Sequence, residues 1–187
     1  MSLAAFKNSE AAFDMIFEHS KTKRGFQQFV NIQNVEGFCA LHFASFHGSH
    51  LMLTKLVEVA KANFNIVNNQ GCNVLHLAAQ GNKALSIHYF SGKLDINAAD
   101  SKMRTPLHWA VYTRSEVAQN FILAISSVEL EARDDNGFTA LHLAVQSVEQ
   151  LKSTRPVRAL LIKGADREAK DSKGRSPVQL MSSDLPE

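Results

Sequence analysis

Thr105-Pro106-Leu107-His108-Trp109-Ala110 lies near the middle of the chain, and its copies on either side decide the fold. Cys39-Ala40-Leu41-His42-Phe43-Ala44, Asn73-Val74-Leu75-His76-Leu77-Ala78 and Thr139-Ala140-Leu141-His142-Leu143-Ala144 repeat it, with successive histidines 34, 32 and 34 residues apart. A degraded fifth copy reads Ser176-Pro177-Val178-Gln179-Leu180-Met181. Upstream of the copies stand Gly37, Gly71, Met103, Gly137 and Gly174, and three residues before these stand Asn34, Asn68, Asp100, Asp134 and Asp171. A fixed period of 20–50 residues means a stacked repeat architecture rather than a single globular core.

Each part of the pattern has a mechanical role. Asp or Asn three residues before Gly suits a tight turn, because the short side chain bonds nearby amides and Gly accepts positive φ. Thr followed by Pro opens a helix: the hydroxyl caps free amides, and Pro sits in the first turn, where it has no helical bond to lose. Leu and Ala then provide a narrow apolar face that a neighbouring helix can approach closely. A second apolar-periodic segment follows, with Leu51, Leu53, Leu56 and Val57 in the first copy and Val117, Phe121, Ile122 and Ile125 in the third. Counted from turn to turn the units are 34–67, 68–99, 100–133 and 134–170, then a partial unit, 171–187. Residues 4–33 precede them as an N-terminal cap, with a helix over Ser9–His19 opened by Ser9. The first three residues carry no weight in this reading.

Departures from the pattern are equally specific. Met103 replaces a turn glycine and must either avoid positive φ or accept about 1 kcal/mol of strain. The second unit is clipped at Ser91-Gly92-Lys93. The fourth is lengthened between Ser147 and Pro156, where Ser153 or Thr154 is placed to cap a second helix with Pro156 in its first turn. The fifth unit lacks room for a second helix, so the chain is expected to be cut from a longer polypeptide.

Composition narrows the function classes. Of the 187 residues 45% are apolar, and 20 Lys and Arg stand against 18 Asp and Glu, a formal charge of +2. No block of one sign is long enough for a nucleic-acid or membrane tail, and no run approaches the roughly 18 apolar residues of a membrane helix. The expectations are a soluble, cytoplasmic monomer that binds no nucleic acid and inserts into no membrane. Cys39 and Cys72 form no CxxC pair and are read as reduced structural thiols.

Eight histidines invite a metal or catalytic reading. Equivalent atoms in stacked repeats lie on the order of 10 Å apart, however, whereas zinc ligands converge within about 2 Å of the ion. His42, His76, His108 and His142 are therefore structural, and His19, His47, His50 and His88 offer no ligand spacing. No nucleophile, P-loop or dinucleotide fingerprint occurs. The expectation is a chain with no catalytic residues, no metal and no cofactor.

The pattern resembles the ankyrin repeat over about residues 26–181. The resemblance implies an all-α solenoid of about four full repeats, with an N-terminal capping helix, a partial C-terminal repeat and β-hairpin fingers along one edge. It implies that each motif imidazole bonds its own turn and a neighbouring backbone, and that a protein or peptide partner binds on the concave face made by finger tips and first helices. Residues on that face are Phe38, Cys72, Arg104, Phe138 and Arg175 after the turns, and Phe46, Gln80, Tyr112, Arg114 and Gln146 toward the first-helix ends. The aromatic and arginine side chains among them are of hot-spot type; Phe38, Phe46 and Phe138 are equally suited to covering aliphatic surface. Trp109 takes a position usually filled by Leu, where it either packs between repeats or faces the groove.

The runs Val74–Gly81 and Thr105–Tyr112, with Leu161-Ile162-Lys163-Gly164-Ala165 later, are similar to the N-terminal ankyrin region of DHHC-type palmitoyltransferases. That resemblance implies a module that recruits protein substrates, with Trp109 lining the groove for an extended peptide. The Asp-His-His-Cys sequence of that family is not in this chain. The alternative is a stand-alone ankyrin scaffold or inhibitor that masks a partner's surface.

Overall fold

A computed structural model describes residues 1–22, 25–148 and 152–182. The helices are α1 (Ser2–Phe6), α2 (Glu10–Ser20), α3 (Phe26–Val30), α4 (Ala40–His47), α5 (His50–Thr54, running on as a π-helical turn over Lys55–Val59), α6 (Val74–Gln80), α7 (Ala84–Ser91), α8 (Pro106–Tyr112), α9 (Glu116–Leu123), α10 (Ala140–Gln146), α11 (Arg155–Ile162) and α12 (Pro177–Ser182). The first helices stack in one row, α1, α4, α6, α8, α10, α12, and α2, α5, α7, α9 and α11 form a second row behind it. This is an all-α ankyrin solenoid.

The core follows from the motif. Leu41, Leu75, Leu107 and Leu141 are buried, and Ala44, Ala78, Ala110 and Ala144 have no exposed surface at all. A methyl at those alanines lets adjacent helices close to contact distance, whereas a longer side chain would overfill the layer. Helix α8 opens as the sequence dictates: the Thr105 hydroxyl accepts from the His108 amide, and Pro106 stands at the first helical position. The Thr105 and Thr139 amides donate to Nδ1 of His108 and His142, both at 3.2 Å, so the motif histidine completes the cap.

That arrangement sets the tautomer. Nδ1 accepts, so Nε2 carries the proton and donates to the next unit: His76 to Arg104 O (3.0 Å), His108 to Phe138 O (3.0 Å) and His142 to Arg175 O (3.2 Å). His42 keeps the Nδ1 bond to the Cys39 amide (3.1 Å), but among the described residues its Nε2 meets no acceptor with hydrogen-bond geometry. In the fifth copy Gln179 Oε1 accepts from the Ser176 amide at 2.9 Å, doing what Nδ1 does elsewhere.

Each finger is built on one side chain. Oδ1 of Asn34, Asn68, Asp100, Asp134 and Asp171 accepts from the amides two and four residues on, at 2.8–3.1 Å. Successive fingers are joined through Asn69 N to Glu36 O, Ser101 N to Gln70 O, Asp135 N to Lys102 O and Ser172 N to Asn136 O. Among the described residues these fingers are tight turns without assigned strands, where hairpins were expected; after the turn the chain enters the capped helix at once and leaves no length for a ladder. Met103 takes the strained branch of its two options, at φ +58°.

Two further expectations shift. The N-terminal cap holds more than one helix: Ser9 caps α2 through the Ala12 amide as foreseen, but the unweighted first residues also form α1, which packs on α4, and α3 follows at Phe26–Val30. Lys55 to Asp14 (2.6 Å) and Ser49 to Glu10 (2.6 Å) tie α2 to α5. In α9 and α5, Val117 and Leu51 face solvent while Ala118, Gln119, Ile122 and Leu123, and Met52, Leu53 and Leu56, point inward; the buried arc is rotated from the one the apolar spacing suggested. The lengthened stretch Ser147–Pro156 and the end of the chain lie partly outside the described residues; Pro156 stands in the first turn of α11, where Thr154 makes no side-chain capping bond but the Ser153 hydroxyl accepts from the Arg155 amide at 3.4 Å.

Candidate functional site

Fingers and first helices share one face, and two depressions lie on it. The first, about 300 Å³, is lined by Phe38, Asn68, Gln70, Cys72, His76, Leu77, Gln80 and Trp109. The second, about 530 Å³, is lined by Tyr112, Thr113, Arg114, Leu143, Gln146 and Ser147. The Trp109 and Tyr112 rings, 6.5 Å apart and edge to face, bridge them.

Trp109 is half-buried and held from two sides. Its indole Nε1–H donates to Asp100 Oδ2 at 2.9 Å, and the Arg104 guanidinium lies 4.4 Å from its ring centroid. Arg104 also donates to Asp100 Oδ2, from Nε at 2.9 Å and from Nη2 at 2.8 Å. Burial alone would raise the Asp100 carboxyl, but the Arg104, Trp109 and Lys102 donors outweigh it and hold it below the usual carboxylate range. The consequence is a tryptophan–arginine platform fixed before any partner arrives. The Cys72 thiol beside it is pushed up to about 12, by burial and then by the Asp100 charge, so it stays protonated.

Of the nine residues expected to bind a partner, Phe38, Gln80 and Trp109 meet in the first depression and Tyr112, Arg114 and Gln146 in the second. Arg104 stands on Trp109. Phe46 and Phe138 line neither. Phe46 is half-buried with its ring against His47 at 5.1 Å, and Phe138 stacks on His142 at 5.6 Å. Tyr112 is 66% exposed, which at an aromatic ring leaves a large apolar area open.

The spacing of motif residues missed Asp100, the anchor of the platform. Its signal is Asp followed four residues later by Arg, present twice, at Asp100/Arg104 and Asp171/Arg175. Leu77 and Leu143, read as ordinary motif positions, complete the apolar floors.

The model of the family described as "Ankyrin repeats (3 copies)" matches residues 86–171. These units are ankyrin repeats. Ankyrin repeats are protein–protein interaction modules, and this chain is one. Among curated proteins, the ankyrin chain is similar to palmitoyltransferase AKR1 of Lachancea kluyveri, 28% identical over 153 residues, which cover 79% of this chain and 20% of that protein. It is similar to palmitoyltransferase AKR1 of Kluyveromyces lactis, 33% identical over 103 residues, 52% of this chain and 13% of that one. It is also similar to the tyrosine-protein kinase Shark of Drosophila melanogaster, 29% identical over 144 residues, 75% of this chain and 15% of the kinase. The chain thus spans a fifth or less of each of these three relatives. Among the described residues no helix is long and apolar enough to cross a membrane.

Proposed function

We propose that the ankyrin chain holds an extended protein segment along the face formed by its fingers and first helices, the concave face of the solenoid, and that it recruits protein substrates to a palmitoyltransferase of which it is a part. The observation that carries the first half is the convergence of Phe38, Gln80, Trp109, Tyr112, Arg114 and Gln146 into two joined depressions, with Trp109 clamped by Arg104 and Asp100. A fixed aromatic platform binds without first losing side-chain entropy. The second half rests on likeness to the two palmitoyltransferases and on Trp109 standing in the Thr-Pro-Leu-His-Trp-Ala motif.

The chain acts in this role as a single unit spanning 1–187, as a monomer, on the cytoplasmic side of a membrane, and without nucleic acid. Peptides selected by display on the wild-type chain provide the test. Trp109→Ala and Arg114→Glu should each weaken their binding about tenfold, within the range of hot-spot truncations, and Phe46→Ala should do so less. Affinity unchanged in all three removes this face from the account. Reading the full-length gene tests the second half: a downstream Asp-His-His-Cys domain with apolar spans is required, and its absence would leave a stand-alone scaffold or inhibitor.

A further inference from the structure

Charge is accounted for finger by finger, and one finger does not balance. Where the turn residue is Asp100 or Asp171, the residue four positions on is Arg104 or Arg175, whose Nε donates to Oδ2 at 2.9 Å and whose Nη2 stands 2.8 Å from it. Where the fourth residue is Phe38 or Cys72, incapable of countering a charge, the turn residue is the neutral Asn34 or Asn68. The fourth finger breaks the rule: Asp134 is followed by Phe138. Asp134 Oδ1 accepts from the Asn136 and Phe138 amides at 2.9 and 2.8 Å, as in every finger. Its Oδ2, among the described residues, has no donor. Asp100 and Asp171 are buried beneath their arginines, while Asp134 is only half-buried.

We propose that Asp134 is a receptor for an arginine or lysine side chain of the bound partner, which takes the place that Arg104 and Arg175 hold in the neighbouring fingers. This rests on the proposed binding along the same face and adds the partner's chemistry: a basic residue seated over the fourth finger. Its aliphatic stem would lie against Phe138, whose ring is fixed by stacking on His142 with 15° between planes. Leu143, half-buried on the floor of the second depression, continues that apolar surface. The electrostatics favour such a guest. Arg104 and Arg175 on either side are each neutralised by their own aspartate, the neighbouring Arg133 gives its guanidinium to the Lys170 carbonyl, and the finger-tip charges Asp135, Lys102 and Lys173 are exposed and therefore screened. A guanidinium meeting a carboxylate oxygen gains charge-assisted hydrogen bonds that a neutral side chain cannot supply.

The experiment is a parallel selection of displayed random peptides on the wild-type chain, Asp134→Asn and Phe138→Arg. Asn34 and Asn68 make the same turn bonds as the aspartates, so Asp134→Asn keeps the finger and removes only the charge. Phe138→Arg supplies the missing counter-ion from within, as in the third and fifth units. The wild type should enrich Arg or Lys at one fixed peptide position, both variants should lose that enrichment, and wild-type peptides should bind Asp134→Asn about three- to tenfold more weakly, the range for a partly exposed ion pair with charge-assisted bonds. Trp109→Ala and Tyr112→Ala run alongside. Selected peptides that need Trp109 or Tyr112 but show no basic position, or keep it in both variants, overturn the receptor while leaving the binding face intact. Peptides indifferent to Trp109, Tyr112 and Asp134 alike overturn the face itself.

Discussion

The motif histidine does two jobs with one ring: Nδ1 closes its own helix cap, and Nε2–H reaches the next finger. The first needs the neutral ring, because a protonated Nδ1 cannot accept, and burial enforces it, lowering His42 and His76 to about 4 and shifting His108 in the same direction. An unfolded histidine titrates near 6.5, so below that value the unfolded chain binds more protons than the folded one. Stability is therefore complete above about pH 6.5 and falls progressively as the pH drops toward 4, before most carboxylates protonate. Unfolding free energies from urea titrations at pH 7.5 and pH 5 should differ by roughly 2–4 kcal/mol, with the lower value at pH 5. His76→Gln, which copies Gln179 of the fifth unit, should flatten part of that dependence; an unaltered pH profile would show that the ring protonates without cost. Met103 is a second case at this scale. Its φ of +58° is a left-handed geometry that glycine adopts freely, and Met103→Gly should stabilise the fold by about 0.5–1 kcal/mol in chemical denaturation. The missing glycine was legible in the sequence, but which way the backbone would yield was not.

Helix geometry explains why second helices were harder to read than first ones. First-helix positions carry Leu, His and Ala that face neighbours on two sides, so the motif and the burial coincide. In α9 the apolar residues surround more than one arc, and only the packing of α7 and α11 chooses Ala118, Ile122 and Leu123 over Val117 for the interior. Junctions between helices impose their own limits. A Cβ built on Gly81, just past α6, would stand 2.0 Å from the Phe46 carbonyl oxygen, so no side chain fits unless the backbone moves. Gly81→Ala should cost about 2 kcal/mol or more, despite alanine's better intrinsic propensity. A thermal midpoint within a degree of wild type would contradict that close approach.

Across the whole molecule, each unit touches only its neighbours, so stability is shared along the stack and lowest at its ends. Amides of α6 and α8, packed on both sides, should exchange with solvent more slowly than those of α1, α2 and α12 by at least about tenfold; uniform protection would point to a single cooperative body instead. The same one-dimensional order lines up the fingers and spreads six of the nine expected binding residues over two depressions, whereas Phe46 and Phe138 were drawn into packing against His47 and His142. Both contacts lie within one unit, one and four residues away, but a motif position alone does not say to which side a ring turns.

By itself, the amino-acid order determined the repeat, its turn chemistry, its capped first helices and hence the ankyrin solenoid, because these depend on residues three to five positions apart and on a period repeated along the chain. Only the tertiary structure decided that Asp100 would lock Arg104 onto Trp109, that the first residues would pack as a helix on α4, and that Asp134 Oδ2 would meet no donor among the described residues. Those outcomes depend on which groups burial brings together and which it deprives of water, and that is settled only once the units are stacked.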